Sequence, residues 1–372
     1  MVNLINVLVT MPNGLWEKII FAFNSFAKNY ALAIILLTLC IKLVLLPVDY
    51  FNRRSSVKMT QMQEKLQPKM AEIQRKYPDK TIQNQKLGEL YQKEGFNPMG
   101  SCITMLVVMG ISMAVFFTLF GGLNSMASYK IVDQYEQLQK AYVAEYAINK
   151  AGNEIYNIDD VYALKQSEID EYILEIYTQK QDESNDVYFA RIDAANNAVA
   201  LKYDEVRESF LWIKNVWIAD SPLQRAIPSF DAYAQTAGLK FETDEERNQA
   251  KEIYGAVMSR LEANQGVNGY FILAVLAAVS TFLSQYLLTK KKAKKQNYYT
   301  KQQEGQPMAP QASTNKAMMI VFPIIMMVFT LSYNSIFALY IVVGQLFSTA
   351  TAPLIAKLLE LSEKKKQSKQ KN

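Results

Sequence analysis

Residues 37–51 read LTLCIKLVLLPVDYF, an apolar run broken by one lysine, Lys42, and closed by Pro47 and Asp49. Between Lys28 and Asp49 no other side chain is charged. The run is long enough to cross a bilayer core of about 30 Å, which takes about 20 helical residues. An ammonium inside such a helix costs roughly 2.5–3.5 kcal/mol on insertion scales, so its presence needs a reason. Two readings follow from the residues alone. Lys42 lies five residues before Pro47, about 7–8 Å along a helix axis, so its head can snorkel to the inner headgroups. Alternatively it faces a wet groove between spans that is open to the cytosol, where a cation attracts an acidic segment in transit. Thr38, Lys42 and Asp49 stand at i−4, i and i+7, which places them on one helix face.

The remainder of the 372 residues, half hydrophobic overall, is segregated in the same way. No charge occurs from Met99 until Lys130, from Gly269 to Thr289, or from Ala317 to Ala356. The last block is too long for one span and holds Ser332, Tyr333, Asn334 and Ser335, the polar turn of a tight hairpin. The expected fold class is an all-α integral membrane protein: five transmembrane helices with a cytoplasmic helical hairpin and a helical extracytoplasmic insertion. The spans are placed at 29–50, 99–123, 269–289, 317–334 and 335–356.

Lysine and arginine in loops beside spans stay cytoplasmic. Residues 51–98, 290–316 and 357–372 are basic, whereas 124–208 is dense in acids, among them Asp159, Asp160, Glu168 and Glu171. The expected topology in the plasma membrane is therefore an outside N-terminus and a cytoplasmic C-terminus. Within residues 1–28, Leu15, Trp16, Ile19, Ile20, Phe23 and Phe26 recur at helical spacing, which predicts an amphipathic helix lying in the outer interface. No basic region precedes the first apolar stretch, so no removable signal peptide is expected. Residues 209–268 begin SFLWIKNVWIADSP, whose Phe210, Trp212 and Trp217 suit an outer interfacial segment and loop.

The hairpin at 51–98 rests on two apolar stripes. Met59, Met62, Leu66, Met70 and Ile73 form the first, Tyr77-Pro78-Asp79 breaks the helix, and Ile82, Leu87, Leu90 and Tyr91 form the second. Pro68 is expected to kink or restart the first arm. The stripes either pack on each other, the favoured reading, or leave Met59, Met62 and Met70 as an adaptable surface for apolar clients.

Catalytic chemistry has little to build on. Histidine is absent, which removes the commonest general base and metal ligand. Cys40 and Cys102 both fall in or beside apolar spans, without metal or disulfide spacing. No glycine-rich phosphate loop occurs. Neither enzymatic activity, a cofactor nor a metal is expected.

Several motifs together resemble the YidC-type membrane protein insertases. They are NYALAIILLTLCIKLVLLPV at 29–48, LQPKMAEIQRKY at 66–77, NPMGSC at 97–102, SFLWIKNVWIADSP at 209–222, ILAVLAAVSTFLSQYL at 272–287 and FPIIMMVFTLSYNSIFALYIVVGQLFS at 322–348. The resemblance implies a non-enzymatic insertase that helps newly made membrane proteins enter the plasma membrane through a hydrophilic groove open to the cytosol and lipid. It implies nascent membrane proteins and membrane lipids as partners, with the general secretion channel and the ribosome as further candidates, and requires no oligomer.

In the family the basic residue of the first span is usually arginine; the matching position here is Lys42, which keeps the charge and loses the bidentate fork. Around Lys42 the implied groove set is Thr38, Asp49, Thr104, Ser284, Gln285 and Gln345, with Met59, Met62 and Met70 of the hairpin touching the client. Where relatives often carry proline, glutamine and proline in the second span, this chain has Thr104, Val108 and Gly110. The rival reading is a secondary transporter binding an anion at Lys42. Transporters commonly show two related halves, and five dissimilar spans do not.

Overall fold

The computed structural model describes residues 11–95, 98–150, 164–284, 286 and 311–371. The described helices are α1 (Leu15–Ala27), α2 (Tyr30–Lys76), α3 (Lys80–Lys93), α4 (Pro98–Lys150), α5 (Gln166–Tyr177), α6 (Asn185–Val206), α7 (Phe230–Ala237), α8 (Asp244–Gln265), α9 (Ile272–Ser284), α10 (Gln311–Ser332) and α11 (Ser335–Lys371). Among the described residues the only β pairing is two isolated bridges, Phe210 with Ile213 and Arg225 with Val267.

Among the described residues, three helical stretches are long and apolar enough to cross a membrane: Tyr30–Met59, Leu106–Glu145 and Ser335–Ser362. Ile272–Ser284 and Ile320–Ser332 are shorter apolar helices. The turn between α10 and α11 falls at the polar residues that the sequence marks, and the Asn334 carboxamide caps α11 by accepting from Phe337 N at 3.0 Å.

Helix ends and apolar-block ends do not coincide. α2 runs 47 residues through both Pro47 and Pro68, α4 runs 53 residues from the second apolar block far into the acidic insertion, and α11 runs 37 residues into the lysine-rich tail. A change from apolar to charged side chains alters what a helix is soluble in, while its backbone hydrogen bonds continue undisturbed.

The chain divides into two compact units, 1–37 with 120–345, and 38–119 with 346–372. In the first unit a helical domain gathers one core from the far part of α4 and from α5 to α8. α4 contributes Val132, Tyr135, Leu138 and Tyr142; α5 contributes Ile169, Ile173 and Ile176; α6 contributes Ala195, Val199 and Tyr203; α8 contributes Ala250, Ile253, Val257 and Leu261. Each set repeats at three or four residues, the period that puts one face of a helix into a core. Phe230 and Tyr233 of α7 join them, so the core draws on residues both before and after position 208.

Tyrosines dominate its centre. Tyr135 lies 4.6 Å from Tyr233 and 4.9 Å from Tyr254, centroid to centroid, and the Tyr254 hydroxyl donates to Pro228 O at 2.6 Å. Burial pushes the Tyr203 phenol up to about 12, with Arg207 opposing, and also raises Tyr233 and Tyr254. The folded values lie above the ordinary value of about 10, so this stability is fully present below about pH 10. It is lost as pH rises toward about 12, because the unfolded chain releases its phenolic protons first. Thermal unfolding of this domain, followed by near-ultraviolet circular dichroism, is expected to fall steeply between about pH 10 and 12 and to be flat from about pH 8 to 9.

The segment after α6 ties the first unit together. Asn29 donates from its side chain to Ser209 O at 3.3 Å and caps α2 through Leu32 N at 3.1 Å. Asp220 accepts from Tyr270 N at 2.8 Å and from Leu273 N at 2.7 Å, holding the first turn of α9. Ser335 N and Ile336 N donate to Ile218 O and Val216 O, both at 3.0 Å, holding the first turn of α11. Asn268, fully buried, links the two strands of this knot: Asn215 N donates to its Oδ1 at 2.8 Å, and its Nδ2 donates to the carbonyls of Asn215, Ile218 and Ala219. Gly269 is required beside it, since a Cβ there would come within 1.9 Å of Asp220 Oδ1. Trp217, expected at an interface, is instead buried against Tyr30 at 5.1 Å.

In the second unit α2 and α3 form a helical hairpin. Asp79 caps α3 by accepting from Thr81 N at 2.7 Å, Lys69 pairs with Glu94, and Gln83 Nε2 donates to Gln74 O at 3.4 Å. Leu66 is buried, while α3 buries no residue and Ile82 is exposed. Leu87, Leu90 and Tyr91 of the second stripe are half-buried, and the solvated polar contacts between the arms, which water and salt screen, add to that partial cover.

Candidate functional site

Three of the candidate groove residues share α2. Thr38 is buried at 1% exposure, and Lys42 and Asp49 are half-buried. The adjoining residues Leu43 and Val44 are 57% and 76% exposed. α2 thus turns an apolar surface outward at 43 and 44, while the ammonium-bearing side of the helix is the more covered one. That asymmetry is what a cation on a membrane helix requires, because lipid solvates leucine and valine but not an ammonium. Pro47 withdraws the amide that would bond the Leu43 carbonyl, leaving a backbone acceptor beside Lys42.

The other candidates fall elsewhere. Thr104 lies on α4 in the same unit as Lys42. Nearby, Val108 is half-buried, and a Cβ at Gly110 would meet nothing within 4 Å. Ser284, on α9, and Gln345, on α11, are both half-buried and belong to the first unit. Gln285 lies outside the described residues. The hairpin methionines Met59, Met62 and Met70 are half-buried, and Met70 Sδ accepts from the Tyr91 hydroxyl at 3.7 Å.

The buried polar groups of α9 are residues that the sequence reading passed over. Ser280 is 4% exposed and returns its hydroxyl to Ala277 O at 3.1 Å. Thr281 is 2% exposed, and its hydroxyl makes no hydrogen bond among the described residues. Ser280 stands four residues before Ser284, so helical spacing from that serine could have found it. On α10, Thr330 is buried and bonds back to Met326 O and Met327 O at 3.0 and 2.8 Å. Among the described residues no cluster of three or more metal-ligating side chains exists.

The arrangement on α2 supplies a positive field and hydrogen-bonding capacity on one side of a membrane helix. Such a set can hold an anionic group reversibly; it offers no paired nucleophile and base.

The chain is similar to known proteins over most of its length. The sequence profile of the family described as "60Kd inner membrane protein" matches residues 22–180 and 199–364. Among curated relatives, a membrane protein insertase YidC from Geobacter metallireducens is 40% identical over 102 residues, covering 27% of this chain and 18% of that protein. Membrane protein insertase YidC 1 from Streptococcus agalactiae is 34% identical over 113 residues, covering 27% of this chain and 40% of its own length. These alignments therefore span less than half of either relative. With the profile covering both the Lys42 helix and the knot at 209–222, the chain is a multi-pass membrane protein that belongs to the 60Kd inner membrane protein family, the YidC-type family.

Proposed function

We propose that this protein is a plasma-membrane insertase that helps newly made membrane proteins enter the bilayer. Its substrates on this reading are hydrophobic helices with short polar flanks. A hydrophobic helix leaves water spontaneously, but its polar flank must cross about 30 Å of hydrocarbon, where unpaired polar groups are costly. A hydrated groove at Lys42, open to the cytosol and lipid, shortens that path, and the ammonium gives a transient countercharge to acids on the flank. Thr38 and Asp49 extend the polar stripe toward the cytosol. Ser284, Gln285, Gln345 and Thr104 are the remaining proposed groove residues, and the hairpin methionines offer apolar contact to arriving clients. The reading places five spans in the membrane, the hairpin and lysine-rich tail in the cytosol, and the acidic helical domain outside.

The observation that carries the proposal is a family match across both apolar and charged segments, joined to a half-buried lysine in the apolar first part of α2. The test is reconstitution into vesicles with a single-span client, scoring protease-protected client. Protection no better than in protein-free vesicles overturns it. Uptake of a labelled anion under the same conditions, abolished by Lys42→Ala, would instead establish the transporter reading.

A further inference from the structure

The knot that joins the first unit leaves two leucines in the open. Leu211 is 75% exposed and Leu223 is 87% exposed. Leu211 occupies the tight turn between Phe210 and Ile213 at φ 52, a left-handed conformation that glycine or asparagine adopts without strain and leucine does not. Neither side chain contributes to the core, and a strained, uncovered leucine calls for a different occupant of its surroundings.

Position supplies it. Leu211 is two residues from Ser209, whose carbonyl takes the side chain of Asn29, the residue that caps α2. Leu223 is three residues from Asp220, which holds the first turn of α9. Between them, Val216 and Ile218 hold the first turn of α11. Both leucines therefore lie at the level where apolar helices begin, and Tyr270, 60% exposed, and Phe26, 83% exposed, lie beside the same helix ends. Charge does not draw this part of the chain to lipid headgroups, because acids outnumber bases 25 to 14 between residues 124 and 268. Apolar contact is the force available.

We propose that Leu211 and Leu223 are lipid anchors: they enter the headgroup–acyl boundary around the N-terminal ends of α2, α9 and α11, seating the acidic helical domain on the membrane. Exposed apolar side chains beside helix ends suit an interface where hydrocarbon meets headgroups. The anchors leave the knot's own hydrogen bonds untouched, so their contribution is to the depth and tilt of the domain above it.

The test uses the full chain with Cys40→Ser and Cys102→Ser, reconstituted into vesicles of phosphatidylethanolamine and phosphatidylglycerol. Spin labels are attached at Leu211→Cys, at Leu223→Cys and, as a control, at Val187→Cys, a 59% exposed position near the other end of α6. Collision with oxygen, which concentrates in lipid, is compared with collision with a water-soluble nickel chelate. The expected result is oxygen dominance at 211 and 223 and nickel dominance at 187. Nickel dominance at 211 and 223 overturns the proposal. Exclusion of both probes there also overturns it, in favour of a contact with a second copy or another protein.

Discussion

Lys42→Glu is expected to cut insertion of a small, acid-flanked client by at least roughly tenfold, with Lys42→Arg close to the parent and Lys42→Ala between them. Two unit charges about 4 Å apart at an effective dielectric of about 20 interact by on the order of 4 kcal/mol. Water in the proposed groove would weaken this, yet a third of it, about 1.4 kcal/mol, is already a factor of ten in rate. Arginine keeps the field and adds the fork. Alanine removes attraction without adding repulsion. The measurement is depletion of the cell's own insertase followed by rescue with each variant, scoring client insertion. Glutamate performing as well as lysine would end the countercharge role while leaving the insertase assignment standing. A client whose flank carries lysines should reverse the order of alanine and glutamate.

The largest loss of stability is expected from Asn268→Ala. This buried side chain accepts from Asn215 N and donates to three carbonyls, at 2.8 to 3.2 Å. Ile218 O keeps Ser335 and Asn215 O keeps Ile218 N, but alanine leaves the Asn215 amide and the Ala219 carbonyl without the partner they had, in a place water does not reach, and each such group costs about 1–3 kcal/mol. A loss of about 3 kcal/mol or more follows, read as a fall in the unfolding midpoint of the detergent-solubilised protein. Thr236→Ala, whose hydroxyl returns to its own helix at Ala232 O, should by comparison change little. If the two variants unfold together, the knot is not what holds the first unit.

The hairpin illustrates where residue pattern and packing part. Its two helices and the Tyr77-Pro78-Asp79 break are where the stripes put them. The sequence favours stripe-on-stripe packing, and the structure shows partial cover: Leu66 is buried, Ile82 is exposed, and the other residues of the two stripes are half-buried, with Tyr91 reaching Met70. Periodicity reports that a face is apolar and is silent about what covers it. Pro68, expected to kink or restart the first arm, sits within continuous helix.

The acidic stretch is the converse case. Read in line, residues 124–208 and 209–268 look like separate pieces, a solvated insertion and an interfacial loop. In space they share the core built on Tyr135, Tyr233 and Tyr254. The contacts that join them are separated by about a hundred residues, and no local pattern encodes such a pairing.

The primary structure alone determined that this is a membrane protein with a lone basic residue on its first apolar helix, which segments are basic and which acidic, and which family it resembles. Those properties are additive over neighbouring residues: transfer into lipid and attraction to headgroups depend on composition within a window of about twenty. Tertiary structure alone decided that Trp217 is buried against Tyr30, that Leu211 and Leu223 are left bare, and that Asn29, Asp220, Asn268 and Ser335 tie three helix ends into one knot. Each of these depends on which groups remain for a buried amide or carbonyl to bond once the chain has closed on itself, a condition that only three-dimensional placement can satisfy.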